Sequence, residues 1–275
     1  MRINRNGNGK VLSPTAREYE RQRAKAAVWG EFTDRVLEEA GLGVGMSVLD
    51  ACCGPGETMR LMERRVGPTG SVTGIDLYPA VGAYGLQRLR EEEDGNFHFH
   101  STNLMQDEPV PGAPFDMVFC CFLLIFMDDP VDVVRRLTAL TKPGGMLVAM
   151  DYDMATIMYA PANPVIDCGM DIMKGTFAAA GRPLDAGGRL GEWFRKAGLS
   201  APRGMDLKGD QLASASGDNP LSRMLEDLAP MSDRLGLASH EEVASLADDI
   251  RAISAQGEYV WRQPTVGAAW TKIGD

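Results

Sequence analysis

Val48-Leu49-Asp50-Ala51-Cys52-Cys53-Gly54-Pro55-Gly56-Glu57-Thr58 is the stretch on which the fold turns. An apolar run, Met46 to Ala51, leads into a turn holding two glycines, and a helical pattern, Thr58 to Val66, follows. Strand, tight glycine turn and helix in that order let the backbone approach a ligand closely before the helix begins. The next apolar run, Ser71 to Leu77, carries Asp76 near its end, twenty residues beyond Gly56. A carboxylate there can accept hydrogen bonds from both hydroxyls of a ribose. It can also cap the following helix, and Pro79 fits that reading too. The turn is not GxGxxG, and no basic residue stands where a pyrophosphate would lie, which argues against NAD. Nor is it GxxxxGK[ST], so it is not a P-loop. The two features together point to an adenosine-containing ligand at the carboxyl edge of a sheet.

The alternation continues on both sides. Ser13-Pro14 opens a helix reaching Ala40, closed by Gly41, Gly43 and Gly45. Beyond the second strand come a helix over 80–93 and a strand over 96–101. A strand over 115–121, a helix over 131–141 and a strand over 145–151 follow. The turns 68–70 and 142–145 feed strands. Uniformly apolar strands between helices predict an α/β, Rossmann-like doubly wound parallel sheet covered on both faces. After Asp151 the pattern changes to loop and helix over 154–180, helices over 188–197, 219–235 and 239–254, and a closing strand pair or bent strand over 258–273. With no internal repeat and no linker, the whole chain, 1–275, reads as one domain. Residues 1–45 form a helical lid and 46–151 the ligand-binding core. Helical additions on the substrate side occupy 152–200 and 209–256.

Composition bounds the function. The 275 residues are 44% hydrophobic and 24% charged, ordinary for a globular chain. The longest nearly uninterrupted apolar run, Met117 to Met127, is 11 residues, short of the ~20 a membrane helix needs. The polar opening MRINRNGNGK predicts no secretory signal. The net charge of −10, with no Lys/Arg block, argues against nucleic acid and against anionic membrane surfaces. Five cysteines, four of them in two adjacent pairs and none spaced CxxC, with three histidines, argue against a zinc or other metal site. They fit a reducing cytoplasm, with thiols as small core hydrophobes.

Four segments in order resemble the motifs of class I S-adenosylmethionine-dependent methyltransferases: VLDACCGPG at 48–56, VTGIDLYP at 72–79, FDMVFCCFLLIFMDDP at 115–130 and KPGGMLVAMDYD at 142–153. EYERQRAKAAVW at 18–29 is similar to the lid helix of the small-molecule members, the subgroup that includes natural-product and ubiquinone/menaquinone methyltransferases. GRLGEWFRKAGL, GLASHEEVASLADDI and the late Trp270 resemble the carboxyl half of the same subgroup. The resemblance implies a seven-stranded sheet with an antiparallel last strand and S-adenosylmethionine as cofactor. Carried over, it places Asp50, Cys52, Cys53, Gly54 and Gly56 at the methionine end of the pocket. Asp76 would hold the ribose, Leu77 the adenine face, and Asn103 with Leu104 the adenine edge. Cys120, Cys121 and Phe122 would lie beside the sulfonium. Two departures stand out: Cys52 occupies a position usually glycine, and Ile125-Phe126 replace a histidine common near the methyl group.

Methyl transfer from a sulfonium is an in-line displacement, so alignment of the nucleophile matters most, worth on the order of 7–11 kcal/mol. A base is needed only where the nucleophile must lose a proton. The candidates are Asp151 and Asp153 after the fifth strand and Tyr19 on the lid, each with a structural alternative (loop caps for the aspartates). His98, His100 and His240 read as structural or surface residues. Met150, Met154, Met158, Met170 and Met173 suggest an adaptable apolar pocket or simple core. The function expected is methylation of a small, largely apolar metabolite, in a natural-product context, by a soluble cytoplasmic enzyme without metal. A homodimer is compatible with this. The alternative is a cyclisation or rearrangement in the same pocket with the cofactor as a bound element. A macromolecule methyltransferase acting on an amino-adenine or a glutamine would usually show Asn-Pro-Pro-Tyr where Cys120-Cys121-Phe122-Leu123 stand, and a binding module without activity would lack a pocket beside the sulfonium.

Overall fold

A computed structural model describes residues 14–106, 108–208, 212–213, 219–256 and 259–274. In chain order the elements are α1 (Pro14–Glu39), β1 (Ser47–Ala51), α2 (Glu57–Val66), β2 (Ser71–Asp76), α3 (Pro79–Glu92), β3 (Phe97–Ser101), β4 (Phe115–Cys121), α4 (Pro130–Ala139) and β5 (Thr141–Asp153). Then come β6 (Met158–Ala160), α5 (Pro164–Ala179), α6 (Ala186–Lys196), β7 (Gly204–Lys208), β8 (Leu212–Ala213), α7 (Pro220–Arg234), α8 (His240–Ser254), β9 (Val260–Arg262) and β10 (Thr265–Lys272). Two short 3₁₀ turns, Leu124–Phe126 and Met154–Thr156, follow β4 and β5.

Seven strands form the main sheet in the order β3-β2-β1-β4-β5-β10-β7. The pairs among β1 to β5 are parallel, while β10 runs antiparallel to β5 and to β7. The strands are apolar on both faces because both are covered. Helices α1, α2 and α3 pack over one face around Trp29, Phe32, Met62 and Phe119. Helices α4 and α6 cover the other, and α5, α7 and α8 extend that core through Phe177, Leu225 and Ile250. Chain order reverses between β1 and β4, and such a switch point opens a crevice at the carboxyl ends of the strands. The register Ala51↔Cys120 brings the ends of β1 and β4 side by side there.

Helix starts follow side-chain chemistry. Asp129, Asn163 and Asn219 each precede a proline and accept a backbone N–H of the first turn. Ser239 and Glu242 make a reciprocal capping box at α8. Ser13, expected to cap α1, lies outside the described residues.

The carboxyl half departs from expectation. The closing segment is not a strand pair: β10 joins the main sheet, whereas β9 pairs with β6 and β8 in a separate three-stranded sheet. Pro264 lies between β9 and β10, and proline cannot donate to a ladder. β5 also begins earlier, at Thr141, because residues 142–145 bulge within the strand rather than leaving it; Gly144 N–H donates to Ile273 C=O. The seventh strand, β7, carries no apolar run that marks it in the sequence.

Candidate functional site

The turn after β1 is held from below by Asp76. One carboxylate oxygen accepts from Gly54 N–H at 2.9 Å and the other from Tyr78 N–H at 2.9 Å. The Ile75 carbonyl accepts from both Cys52 and Cys53 N–H. Gly54 and Gly56 take φ values of +51° and +84°, the left-handed region that favours glycine. A side chain at Gly56 would also strike Leu89 Cδ1 at 2.8 Å, so that position is closed twice over. Cys52 takes φ +71° without being glycine. That explains the usual glycine: a side chain there costs roughly 1–2 kcal/mol.

Electrostatics single out Asp50. It is 2% exposed, and its Oδ2 is buried with no hydrogen-bond partner among the described residues. Burial first, and the charge of Asp76 second, push its carboxyl up from 3.8 to about 8. An orphaned buried oxygen of this kind calls for a missing donor or cation. Cys52 lines the cleft beside it, open to solvent but recessed among protein atoms. That recess and the carboxylates of Asp76, Asp50 and Asp151 hold its thiol in the neutral form. Cys53 is buried and stays neutral for the same first reason.

At the ends of β4 and β5 the chain builds an aromatic wall. Cys120 is fully buried and Cys121 half-buried. Phe122 follows at φ +55°, held by its N–H donating to Met150 C=O. Its ring stacks on Tyr152 with centroids 3.9 Å apart and planes 7° from parallel. Trp29, from α1, meets both rings edge-on and donates its indole N–H to the Tyr152 hydroxyl at 3.1 Å. Burial raises the Tyr152 phenol so far that it stays protonated.

The three candidate bases are not brought together. Asp151 is fully buried, and its carboxylate accepts from Ile125 N–H at 3.0 Å and Tyr152 N–H at 2.8 Å. Burial raises it to about 7 against the lowering effect of those bonds. Through these bonds it straps the turn after β4 to β5. Asp153 accepts from Ala155 N–H at 3.1 Å as the cap of a 3₁₀ turn. Tyr19 is buried on α1 against Tyr84 of α3, its hydroxyl without a hydrogen-bond partner among the described residues. Its charged neighbours are Glu57, Arg23, Glu92 and Arg60, on the α2–α3 side rather than beside Asp151. Burial raises this phenol as well.

Leu77 is 55% exposed beside Asp76, open to a planar ligand face. Asn103 shapes its own loop: its side-chain oxygen accepts from Met105 N–H at 3.0 Å in an Asx turn. An amide oxygen carries two lone pairs, so this turn and a contact to an adenine amino group are compatible. Leu104, next to it, is half-buried against the core. Three residues escaped the sequence reading: Arg223, Asp227 and Gln263 line a narrow cavity with Tyr152. The available signal was an arginine and an aspartate one turn apart among the apolar positions Leu221, Met224, Leu225 and Leu228. Among the described residues no cluster of three His, Cys, Asp or Glu side chains is placed to hold a metal ion.

S-adenosylmethionine fits this edge. Asp50 offers a buried carboxyl with an unmatched oxygen, which a neighbouring cationic end would ionise, Asp76 retains lone pairs for the ribose hydroxyls, and Leu77 presents an apolar face. The family model of a methyltransferase domain matches residues 48–145, the span from β1 into β5. A demethylmenaquinone methyltransferase of Listeria monocytogenes is 29% identical over 225 residues, covering 76% of this chain and 93% of that one. Among solved structures, a crystal structure from Bacillus halodurans superposes with a TM-score of 0.57 at 16% identity, covering 88% and 99% of the two chains. The [4+2]-cyclase SpnF superposes at 0.51 and 21% identity, covering 89% and 81%. The motifs, the strand order and these likenesses agree: over β1 to β5 the chain is similar to the methyltransferase domain, and its fold is that of the class I S-adenosylmethionine-dependent methyltransferases.

Proposed function

We propose that this enzyme methylates a small, largely apolar metabolite in the cytoplasm, in secondary metabolism. The observation that carries the cofactor half of this reading is the orphaned, buried Asp50 oxygen beside the glycine turn. The wall of Trp29, Phe122 and Tyr152, continued by Met154 and Met224, supports an apolar acceptor. The Listeria relative is named for demethylmenaquinone, so a quinol-like ring is the first acceptor class to try.

S-adenosylmethionine, when bound, supplies an already activated methyl group. The chain's part is to bind, align and exclude water. Asp50 and Asp76 fix the cationic and ribose ends. Trp29 and the rest of α1 roof the site, which strengthens those interactions by lowering the local dielectric. Asp151 holds the turn after β4 so that Phe122 keeps its place. With Asp151 committed to two backbone donors and Tyr152 kept protonated, neither acts as a general base. The acceptor therefore brings its electron pair ready, as an enolate, phenolate, amine or electron-rich carbon.

The test is calorimetric titration with S-adenosylmethionine and, separately, NADH, followed by mass spectrometry of a metabolite pool incubated with the enzyme. Micromolar binding of the sulfonium alone and a product heavier by one methylene support the reading. NADH binding, or no sulfonium binding, refutes it. The want of a free base at the ends of β4 and β5 also favours a second reading, cyclisation with the cofactor retained. It predicts a rearranged product of unchanged mass and no consumption of S-adenosylmethionine.

A further inference from the structure

Helix α1 carries a glycine inside it that packing does not explain. A Cβ at Gly30 would meet no atom within 4 Å, so no neighbour excludes a side chain there. Glycine is a poor helix former because its backbone is the freest to leave helical angles. The parts of α1 on either side of it are held differently. After Gly30, Phe32, Val36 and Leu37 are sunk in the core, each 1% exposed or less. Asp34 there accepts two bonds from the Arg65 guanidinium, both at 2.7 Å. Before Gly30 the hold is looser. Arg23 approaches Glu57 at 3.3 Å and Glu92 at 3.9 Å. Trp29 is buried and adds one bond, to the Tyr152 hydroxyl at 3.1 Å. Glu57 Oε1 and the Tyr19 hydroxyl are buried with no hydrogen-bond partner among the described residues. Those unmatched atoms penalise the packed position, and water satisfies both once the segment lifts.

The looser part lies over both ligand regions. Gln22 Oε1 stands 3.0 Å from where a Cβ on Gly54 would be, over the glycine turn. Trp29 meets the stacked Phe122 and Tyr152 rings edge-on. We propose that Gly30 is a hinge: residues 14–29 swing to admit and release the cofactor, residues 31–39 stay in the core, and the Arg23–Glu57 pair is the latch. Only the identity of the covered ligand rests on the methyl-transfer reading. The roof expected over residues 1–45 is thus divided at Gly30. The same swing lifts Trp29 from the aromatic wall, so one motion opens the cofactor turn and the wall together.

Hydrogen exchange of the full chain, read by mass spectrometry on overlapping peptides, tests the hinge without any ligand. Amides of 19–29 should exchange at least tenfold faster than those of 32–39, with a step at Gly30. Fraying from the amino end alone gives a gradual rise, and the absence of a step overturns the hinge. Gly30→Ala should narrow the ratio between the two segments at least threefold. A helix that merely gained propensity slows both segments together, and an unchanged ratio overturns the hinge as well. Release of tritiated S-adenosylhomocysteine into an excess of the unlabelled compound reads the link to the ligand. It should slow at least threefold in Gly30→Ala and quicken at least threefold in Arg23→Met. Salt raised to about 0.5 M should quicken release from the parent far more than from Arg23→Met, because it screens the latch. Release from Arg23→Met at the parent's rate overturns the latch; a narrowed ratio with unchanged release in Gly30→Ala refutes the gating of the cofactor. Should Gly30→Ala fail to fold, Arg23→Met decides: it should widen the exchange ratio at least threefold, and no change is again a refutation. Failure of S-adenosylhomocysteine to bind counts against the methyl-transfer reading alone, and the exchange step still supports or refutes the hinge.

Discussion

Asp50→Asn should make the cofactor-free enzyme more stable and a worse binder. In the folded chain burial and Asp76 hold the carboxyl near 8, whereas an unfolded chain titrates it near 3.8. The folded state therefore keeps its proton where the unfolded state has lost it, and ionisation of Asp50 opposes folding. The penalty is absent below about pH 4, grows by about 1.4 kcal/mol per pH unit, and levels off above about pH 8. At pH 7 it amounts to about 4 kcal/mol. Asparagine keeps the shape and cannot ionise, but it buries an amide without a partner, at about 1–3 kcal/mol. The variant should thus gain roughly 1–3 kcal/mol at pH 7, more at pH 8.5, and nothing at pH 5. At roughly 2–4 °C per kcal/mol for a chain of this size, the gain is visible in a thermal melt. S-adenosylmethionine should reverse the order, since the variant loses the charge that meets the cation, a loss of roughly 1.5–3 kcal/mol in affinity. Melts at pH 5, 7 and 8.5, with and without cofactor, test all of this. A variant less stable than the parent at pH 8.5, or a difference independent of pH, would refute the reasoning. Asp151 titrates in the same direction but is common to both proteins, so the difference isolates Asp50.

Three other outcomes are expected. Cys52→Gly relieves the left-handed side chain, worth roughly 1–2 kcal/mol, against about 0.5–1 kcal/mol of added chain entropy in the unfolded state; urea denaturation should show a small net gain, and a loss above about 1 kcal/mol contradicts the strain argument. Asp76→Ala removes both the brace on Gly54 and the ribose contact, so calorimetry should find cofactor affinity down by roughly 1.5–3 kcal/mol, and an unchanged affinity would end the ribose assignment. Asp151→Asn keeps one acceptor for two backbone donors, at about 1–3 kcal/mol, but removes a carboxyl whose ionisation opposes folding, so its melting temperature relative to the parent should rise as pH goes from about 4 to about 7. Its turnover at saturating substrates should stay within a few-fold of the parent; a loss of several hundred-fold with an unchanged melt would restore Asp151 as a base.

Legibility in the sequence tracks how local the cause is. The glycine turn, Asp50 and Asp76 were readable because a strand, a tight turn and a helix leave their constraints within thirty residues. The Asx-Pro helix starts were readable for the same reason. What could not be read depends on partners far along the chain. Asp151 stands at the right edge of the sheet for a base, yet Ile125 N–H, 26 residues away, takes one of its oxygens. Asn103 lies in the loop expected to meet adenine, and the bond its oxygen accepts from Met105 N–H belongs to the turn rather than to any sequence motif. Trp29 and Tyr152 meet across 123 residues, and neither position marks the other. Arg223 and Gln263 are further apart in kind, one on a helix and one between two sheets, joined by a single 3.1 Å bond. The turn around Asp50 and Asp76 is built from consecutive strand–turn–helix units, whereas the aromatic wall is assembled from α1 and the ends of β4 and β5, with α7 and the β9–β10 connection beside Tyr152. The first is therefore written locally. The second exists only once the chain has folded, and there a charged side chain on an apolar helix stripe is the sequence signal worth pursuing.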